Sequence, residues 1–148
     1  MSTHLSLHYH IVFRTKHRRP VIAASWRPRL HAYLGGAIRE AGGLAECVGG
    51  TADHVHIMKE LKPTLRLSDV LRSAKGASSR WVHEELEVPQ FGWQEGYGAF
   101  SLSADHRSRL RAYIENQESH HRVRRYEDEY LGFLRRNGVA YDERFVWG

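Results

Sequence analysis

Two histidines one residue apart, His54 and His56, stand in "DHVHIM", inside a stretch that otherwise reads as a buried strand. In an extended chain, side chains two apart share a face, so both imidazoles point one way and Val55 and Ile57 the other. Strand rise puts their Cα atoms about 6–7 Å apart, a span over which two imidazoles can share one cation. The spacing alone is weak evidence in a chain with 11 histidines. His8 and His10 form a second pair of the same kind, and spacing does not rank the two. A third segment, "RAYIENQESHH", brings Tyr113 and Gln117 to one helix face at i,i+4. Tyr113 borders the apolar stripe of Leu110 and Ile114, and Gln117 falls between Tyr113 and that stripe. A tyrosine there reads most simply as a core-edge aromatic with a wet hydroxyl, and a half-buried glutamine needs a polar partner.

A basic and aromatic set accompanies these residues. "FRTKHRRP" contributes Arg14, Lys16, Arg18 and Arg19, and "RSAKGASSRW" contributes Arg72, Lys75 and Arg80. Arg72 and Lys75 are i,i+3 and share a helix face. Trp93, Tyr97 and Phe100 lie in or near "FGWQEGYGAF". Guanidinium and ammonium groups bind phosphates, and aromatic faces stack on unpaired bases. The plainer alternative is a solvated basic face above core aromatics. The formal charge of +5 with histidine neutral fits an anionic partner, most often nucleic acid. The loop tryptophan tilts the reading toward a single strand.

Several elements must position these groups. Residues 4–13, "HLSLHYHIVF", alternate, with Leu5, Leu7, Tyr9, Ile11 and Phe13 on one face: a strand with one buried side. Residues 25–41 predict a helix capped by Ser25, weakened by Gly35-Gly36 and ended by Gly42-Gly43. "LAECVGG" and "TADHVHIMKEL" predict a hairpin. A second helix follows, with Ser68 as its cap and Val70, Leu71, Ala74, Ala77, Ser78, Trp81 and Val82 facing inward. "YGAFSLS" is a last strand, and "ADHRSRLRAYIENQESHHRV" a third helix capped by Ser103 or Asp105. The order β-α-β-β-α-β predicts an α+β, ferredoxin-like antiparallel sheet with helices on one face. The other face is expected to stay free for the histidines. One domain, 1–148, with a helical tail from about 124, accounts for the 148 residues. No apolar run approaches the ~20 residues of a membrane span, and the chain opens with no signal peptide. The lone Cys47 makes no internal disulfide, which fits a reducing, cytoplasmic compartment.

Jointly, "HYHIVFRTKHRRPVI", "ADHVHIM", "LSDVLRSAKGASSRWV", "WQEGYGAFSLS" and "YIENQESHH", in this order, resemble the HUH single-tyrosine transposases of the insertion-sequence-200 and REP-associated types. The resemblance runs from about residue 8 to the end. It implies that His54-Val55-His56 is the HUH motif, that Tyr113 is the nucleophile and that Gln117 is its helper. His8 and His10 match only the first-strand segment and receive no catalytic role. The resemblance further implies cleavage and rejoining of single-stranded or hairpin DNA through a 5′-phosphotyrosine. Mg²⁺ or Mn²⁺ would be held by His54, His56 and Gln117. It also implies a homodimer whose tyrosine helix crosses to the partner in insertion-sequence members, or a monomer in REP-associated members, which the tail resembles more. Two readings of other kinds stand beside it. One is a domesticated module that grips hairpin DNA or RNA without cutting. The other is a relaxase or initiator nickase, which fits less well because no helicase-like segment is present.

Overall fold

The computed structural model describes residues 2–121 and 125–147. Its frame is a four-stranded antiparallel sheet of β1 (His8–Arg14), β2 (Leu44–Gly50), β3 (His54–Glu60) and β4 (Gly98–Leu102), in the order β2-β3-β1-β4. This is the strand order of the expected split βαβ arrangement. The two strands that carry histidine pairs are neighbours at its centre, with Val12 opposite His56 and Arg14 opposite His54.

Alternation then sorts the side chains. Ile11, Phe13, Val55 and Ile57 enter the main core, where α1 (Arg27–Glu40) supplies Leu30, Leu34 and Ile38. The second helix, α2 (Leu67–Glu85), supplies Val70, Leu71, Ala74 and Val82. Ala77 and Trp81 are only partly buried. Trp93 also joins this core, 8% exposed, its ring edge-on to Phe13 and Phe91 and its Nε1–H donating to Ser78 Oγ at 2.9 Å. It is therefore no exposed stacking platform; the plainer expectation of a core aromatic holds for it. The expected caps are also replaced: α1 follows Trp26 and α2 follows Arg66, with no side-chain capping bond at either. Residues 2–7 are not strand, and Leu5 is 56% exposed.

The largest departure is on the second face of the sheet. It was expected to stay free, yet three helices lie on it: α3 (Arg107–Glu115), α4 (Gln117–His120) and α5 (Tyr126–Arg136). The single third helix expected from the sequence breaks at Asn116, after a 3₁₀ turn over Ala104–His106 that follows Ser103. Val12 and Phe100 project from the sheet into a second, smaller core with Tyr126 and Leu134 of α5. Tyr126 thus stacks an aromatic on the same sheet face that carries His10, His54 and His56.

Gly49 allows α3 to come this close. A Cβ at that position would collide with the carbonyl oxygen of Ile114. Tyr113 is the residue before Ile114, so the approach of α3 to β2 sets its depth. Gly49→Ala is expected to cost about 1–3 kcal/mol in unfolding free energy, the usual range for overpacking. Chemical denaturation checks this; a variant as stable as the parent would show that α3 tolerates the displacement.

Candidate active site

His54 and His56 lie on the covered face of β3 and are 1% and 0% exposed. Each presents its Nε2 to a common centre and has its Nδ1 occupied behind. His54 Nδ1 lies 2.8 Å from Asp53 Oδ1 and 3.0 Å from Thr51 Oγ1. Burial alone would raise the Asp53 carboxyl, but His54, Thr51 and His121 together outweigh it and hold it below its ordinary value. An ionised Asp53 accepts the Nδ1–H and leaves the Nε2 lone pair of His54 free, the tautomer a metal ligand needs. His56 Nδ1 is 2.8 Å from Nε2 of His10, and the two rings stack at 5.1 Å. Both rings are buried, and desolvation lowers both: His56 to about 4, His10 well below the ordinary imidazole range. Both are neutral at physiological pH, and for His56 that is the state metal ligation requires.

Gln117 is the first residue of the short helix α4. Its Oε1 lies 3.2 Å from His54 Nε2 and 3.0 Å from His121 Nε2, and its Nε2–H donates to the Tyr113 carbonyl at 3.2 Å. The predicted i,i+4 relation of Tyr113 and Gln117 survives the break at Asn116. The Tyr113 ring is half-buried and stands edge-on to His56, with centroids 5.5 Å apart; His120 lies 5.0 Å away. The four residues His54, His56, Tyr113 and Gln117 thus meet within one chain.

Four further residues close the site, and their roles were not read from the sequence. Glu129 of α5 is 1% exposed; its Oε1 lies 3.0 Å from His56 Nε2, and its Oε2 lies 2.9 Å from His120 Nε2 and 3.0 Å from His121 Nε2. Burial would raise this carboxyl, but hydrogen bonds from His121 and His56 overcome it, and the Tyr113 side chain adds to their effect. The net result holds Glu129 far below the usual carboxylate range. A signal for Glu129 did exist: Tyr126, Glu129 and Phe133 share one face of α5, so an acid interrupts an apolar stripe. His120 and His121 stand three and four residues after Gln117, on its side of the helix. His10, set aside by the motif, is drawn in because β1 pairs with β3.

The predicted cations distribute unevenly. Lys16, Arg19 and Arg80 are exposed. Arg18 is exposed and paired with Glu127 of α5, and Arg72 pairs with Asp69 at 3.5 Å. Lys75 is half-buried, donates to the carbonyls of Glu95 and Gly96, and is lowered by burial to about 8. Arg14, in contrast, is 4% exposed; its guanidinium lies 4.9 Å from the Trp147 ring and 5.6 Å from that of Tyr126, and donates to the Trp147 carbonyl. Its charge ties the tail to the sheet. Two clefts flank the segment 94–97: one of about 640 Å³ beside Lys16, Arg18 and Trp147, and one of about 430 Å³ beside Arg72 and Lys75. Among the described residues no helix is long and apolar enough to cross a membrane.

Known proteins resemble this chain in sequence and in fold. Residues 3–117 match the family model described as "Transposase IS200 like". The ISDra2 transposase TnpA of Deinococcus radiodurans is 26% identical over 117 residues, covering 75% of this chain and 84% of that protein. A crystal structure of a transposase candidate from the same organism superposes with a TM-score of 0.62 at 24% identity, over 79% of this chain and 95% of that one. A REP-associated tyrosine transposase bound to a REP hairpin superposes with a TM-score of 0.56 at 13% identity, over 78% and 72%. At these identities the structural likenesses show a common fold. The family match spans both histidines of β3, the tyrosine and the glutamine, and on that match the chain belongs to the IS200-like transposases.

Proposed function

We propose that this transposase cleaves and rejoins single-stranded DNA at hairpin ends through a 5′-phosphotyrosine on Tyr113. The observation that carries the reading is the meeting of Tyr113 with His54, His56 and Gln117 on the buried side of one sheet. Tyr113 Oη attacks phosphorus and loses its proton as the new P–O bond forms. The bond to the 3′-oxygen breaks, and that oxygen takes up a proton to leave as a hydroxyl. Reversal by another 3′-hydroxyl rejoins strands without an external energy source. A free phenol has a pKa near ~10, so an electropositive site is needed at neutral pH.

The donor set fits a divalent cation. Neutral imidazole nitrogens at His54 and His56, backed by Asp53 and His10, and the Gln117 amide oxygen converge with Nε2 and Oε1 atoms forward. Mg²⁺ or Mn²⁺ bound there would polarise the scissile phosphate and stabilise the charge it develops. The residues of this chain do the rest: Asp53 and His10 fix the imidazole tautomers, and Gln117 links the tyrosine helix to the histidines. Because Tyr113 packs on His56 of its own chain, the reading favours cleavage within one subunit. Lys16, Arg18, Arg72 and Lys75 rim the two clefts and would hold the DNA backbone, while Tyr97 at their shared wall is exposed for stacking. A cytoplasmic protein acting on DNA fits this chemistry.

Four measurements check this function. With a labelled single-stranded hairpin oligonucleotide and Mn²⁺, a covalent protein–DNA adduct should form and be absent in Tyr113→Phe; tight binding without adduct by the parent would favour a non-cutting module. His54→Ala and His56→Ala should each abolish cleavage while sparing most DNA affinity, since affinity comes mainly from phosphate contacts; cleavage at parental rate by both would remove the site. In a titration of binding against salt, Lys16→Ala and Arg72→Ala should each lower the log–log slope by roughly 0.7–0.9, one phosphate contact apiece. Unchanged slopes would move the DNA elsewhere.

The fourth concerns pH. His56 is neutral when folded down to about 4, whereas an unfolded imidazole takes a proton near 6.5. The unfolded chain therefore binds more protons between those values, and stability falls as pH falls through them. Each such proton costs about 1.4 kcal/mol per pH unit. Glu129, depressed when folded, contributes stability above its ordinary pKa that is lost as pH falls below it. Thermal melting of the chelator-treated protein should show Tm declining from pH 6.5 toward 4; a flat profile would contradict a neutral buried site.

A further inference from the structure

The family match ends at Gln117, yet two of the residues crowding His54 and His56 follow it: His121 and Glu129. We propose that His121 and Glu129 are ligands of the same divalent cation as His54 and His56, so that the segment beyond the matched region completes the metal site. The proposal rests on the cation-dependent reading given above and specifies its ligands and its metal class.

Geometry supports it first. One ligand atom from each of His54, His56, His121 and Glu129 lies within 4.8 Å of every other. Bonds of about 2.0–2.2 Å place ligands on opposite sides of a cation up to ~4.4 Å apart, and neighbouring ligands about 3.0–3.5 Å apart. His56 Nε2 to Glu129 Oε1 and His121 Nε2 to Glu129 Oε2 are both 3.0 Å, the separation of neighbours in such a shell.

The state of these atoms is the second support. His56 Nε2 and both carboxylate oxygens of Glu129 are buried away from water, crowded against one another and against His121 at 3.0 Å, with only the polar groups of the site itself to balance them. Buried polar atoms left so are costly, and native structures rarely keep them without a reason. Atoms that converge on a point rather than along donor–acceptor lines are what a cation at that point would satisfy. His54 and His56 have Nδ1 engaged behind, by Asp53 and by His10, and direct Nε2 inward. The Gln117 oxygen touches His54 and His121 at the same centre, so its predicted part in the site is compatible with the wider set.

Chemistry then selects the metal. Three imidazoles and one carboxylate suit borderline cations such as Mn²⁺, Co²⁺ or Zn²⁺, whereas Mg²⁺ prefers oxygen ligands and keeps its waters. The bound cation is therefore of the Mn²⁺ or Zn²⁺ type. Approach is from the side of Tyr113, His120 and His121, the partly exposed members among the described residues.

The test is metal binding by the full chain without DNA. Isothermal titration with Mn²⁺ should show Glu129→Gln and His121→Gln each weakening affinity by more than about tenfold, at least the loss seen for residues behind a ligand. The parent should bind Mn²⁺ at least about 100-fold more tightly than Mg²⁺, given the ligand preferences of the two ions. Pulsed electron paramagnetic resonance on the Mn²⁺ form should count three coupled imidazoles, falling to two in His121→Gln. Circular dichroism verifies folding, and should Glu129→Gln fail to fold, the half-buried His121→Gln decides alone. If both variants bind Mn²⁺ like the parent while His54→Ala does not, the two added ligands are wrong and the narrower site stands. If His54→Ala also binds like the parent, the cation site as a whole is overturned.

Discussion

A buried, ionised carboxylate sets the terms for the second face of the sheet. Glu129 sits 2.9–3.0 Å from ring nitrogens of His56, His120 and His121 with almost no exposure. Removing such a charge from water costs several kcal/mol unless opposite or polar partners surround it. The imidazoles provide that surround, and they come from β3, from the end of α4 and from the turn after it. Each side chain is where it is because the others are. The charge on Glu129 therefore couples the tail to the centre of the sheet, and the rest of the site is arranged around that coupling.

The tail is held by a second set of contacts of different kind. Arg14 leaves the end of β1 and lies between the rings of Tyr126 and Trp147 while donating to the Trp147 carbonyl. Burial of a guanidinium is tolerable here because aromatic faces and a carbonyl replace water. Arg18, beside it, pairs with Glu127. His17 and Arg18 take left-handed backbone angles, φ 58° and 59°, which non-glycine residues seldom adopt. The pair of Arg18 and Glu127 links the loop after β1 to α5, and the cleft the loop borders is also walled by Tyr130 and Trp147.

Period-two patterning explains what was legible in the sequence. His54 and His56 against Val55 and Ile57 read correctly as two faces of one strand, and the order of elements led to the right sheet. The family pattern singled out Tyr113 and Gln117, which helix periodicity had left as an ordinary edge pair. What escaped has a common physical cause: it depends on contacts between segments distant in sequence. His10 gains its place only through pairing of β1 with β3. Glu129 becomes a buried acid only because α5 folds over the sheet. Trp93 looked like a loop aromatic because nothing local reveals that Ser78 and Phe13 wait for it. Arg14, read as a phosphate contact, lies against Tyr126 and Trp147, partners just as distant in sequence.

Coverage of the histidines limits how any phosphate could reach them. With His54, His56, Gln117 and Glu129 all nearly inaccessible, a phosphate cannot reach their centre from above the sheet. It must enter past Tyr113, His120 and His121, or α5 must lift. The first route starts at Tyr113, which already lies at the partly exposed edge. The second would uncover Glu129 and the cluster of Val12, Phe100, Tyr126 and Leu134, exposing apolar surface at about 25 cal/mol per Å². Burial of that cluster opposes lifting and favours entry along the tyrosine edge. Tyr113 is then the first residue of the site that an entering phosphate would encounter.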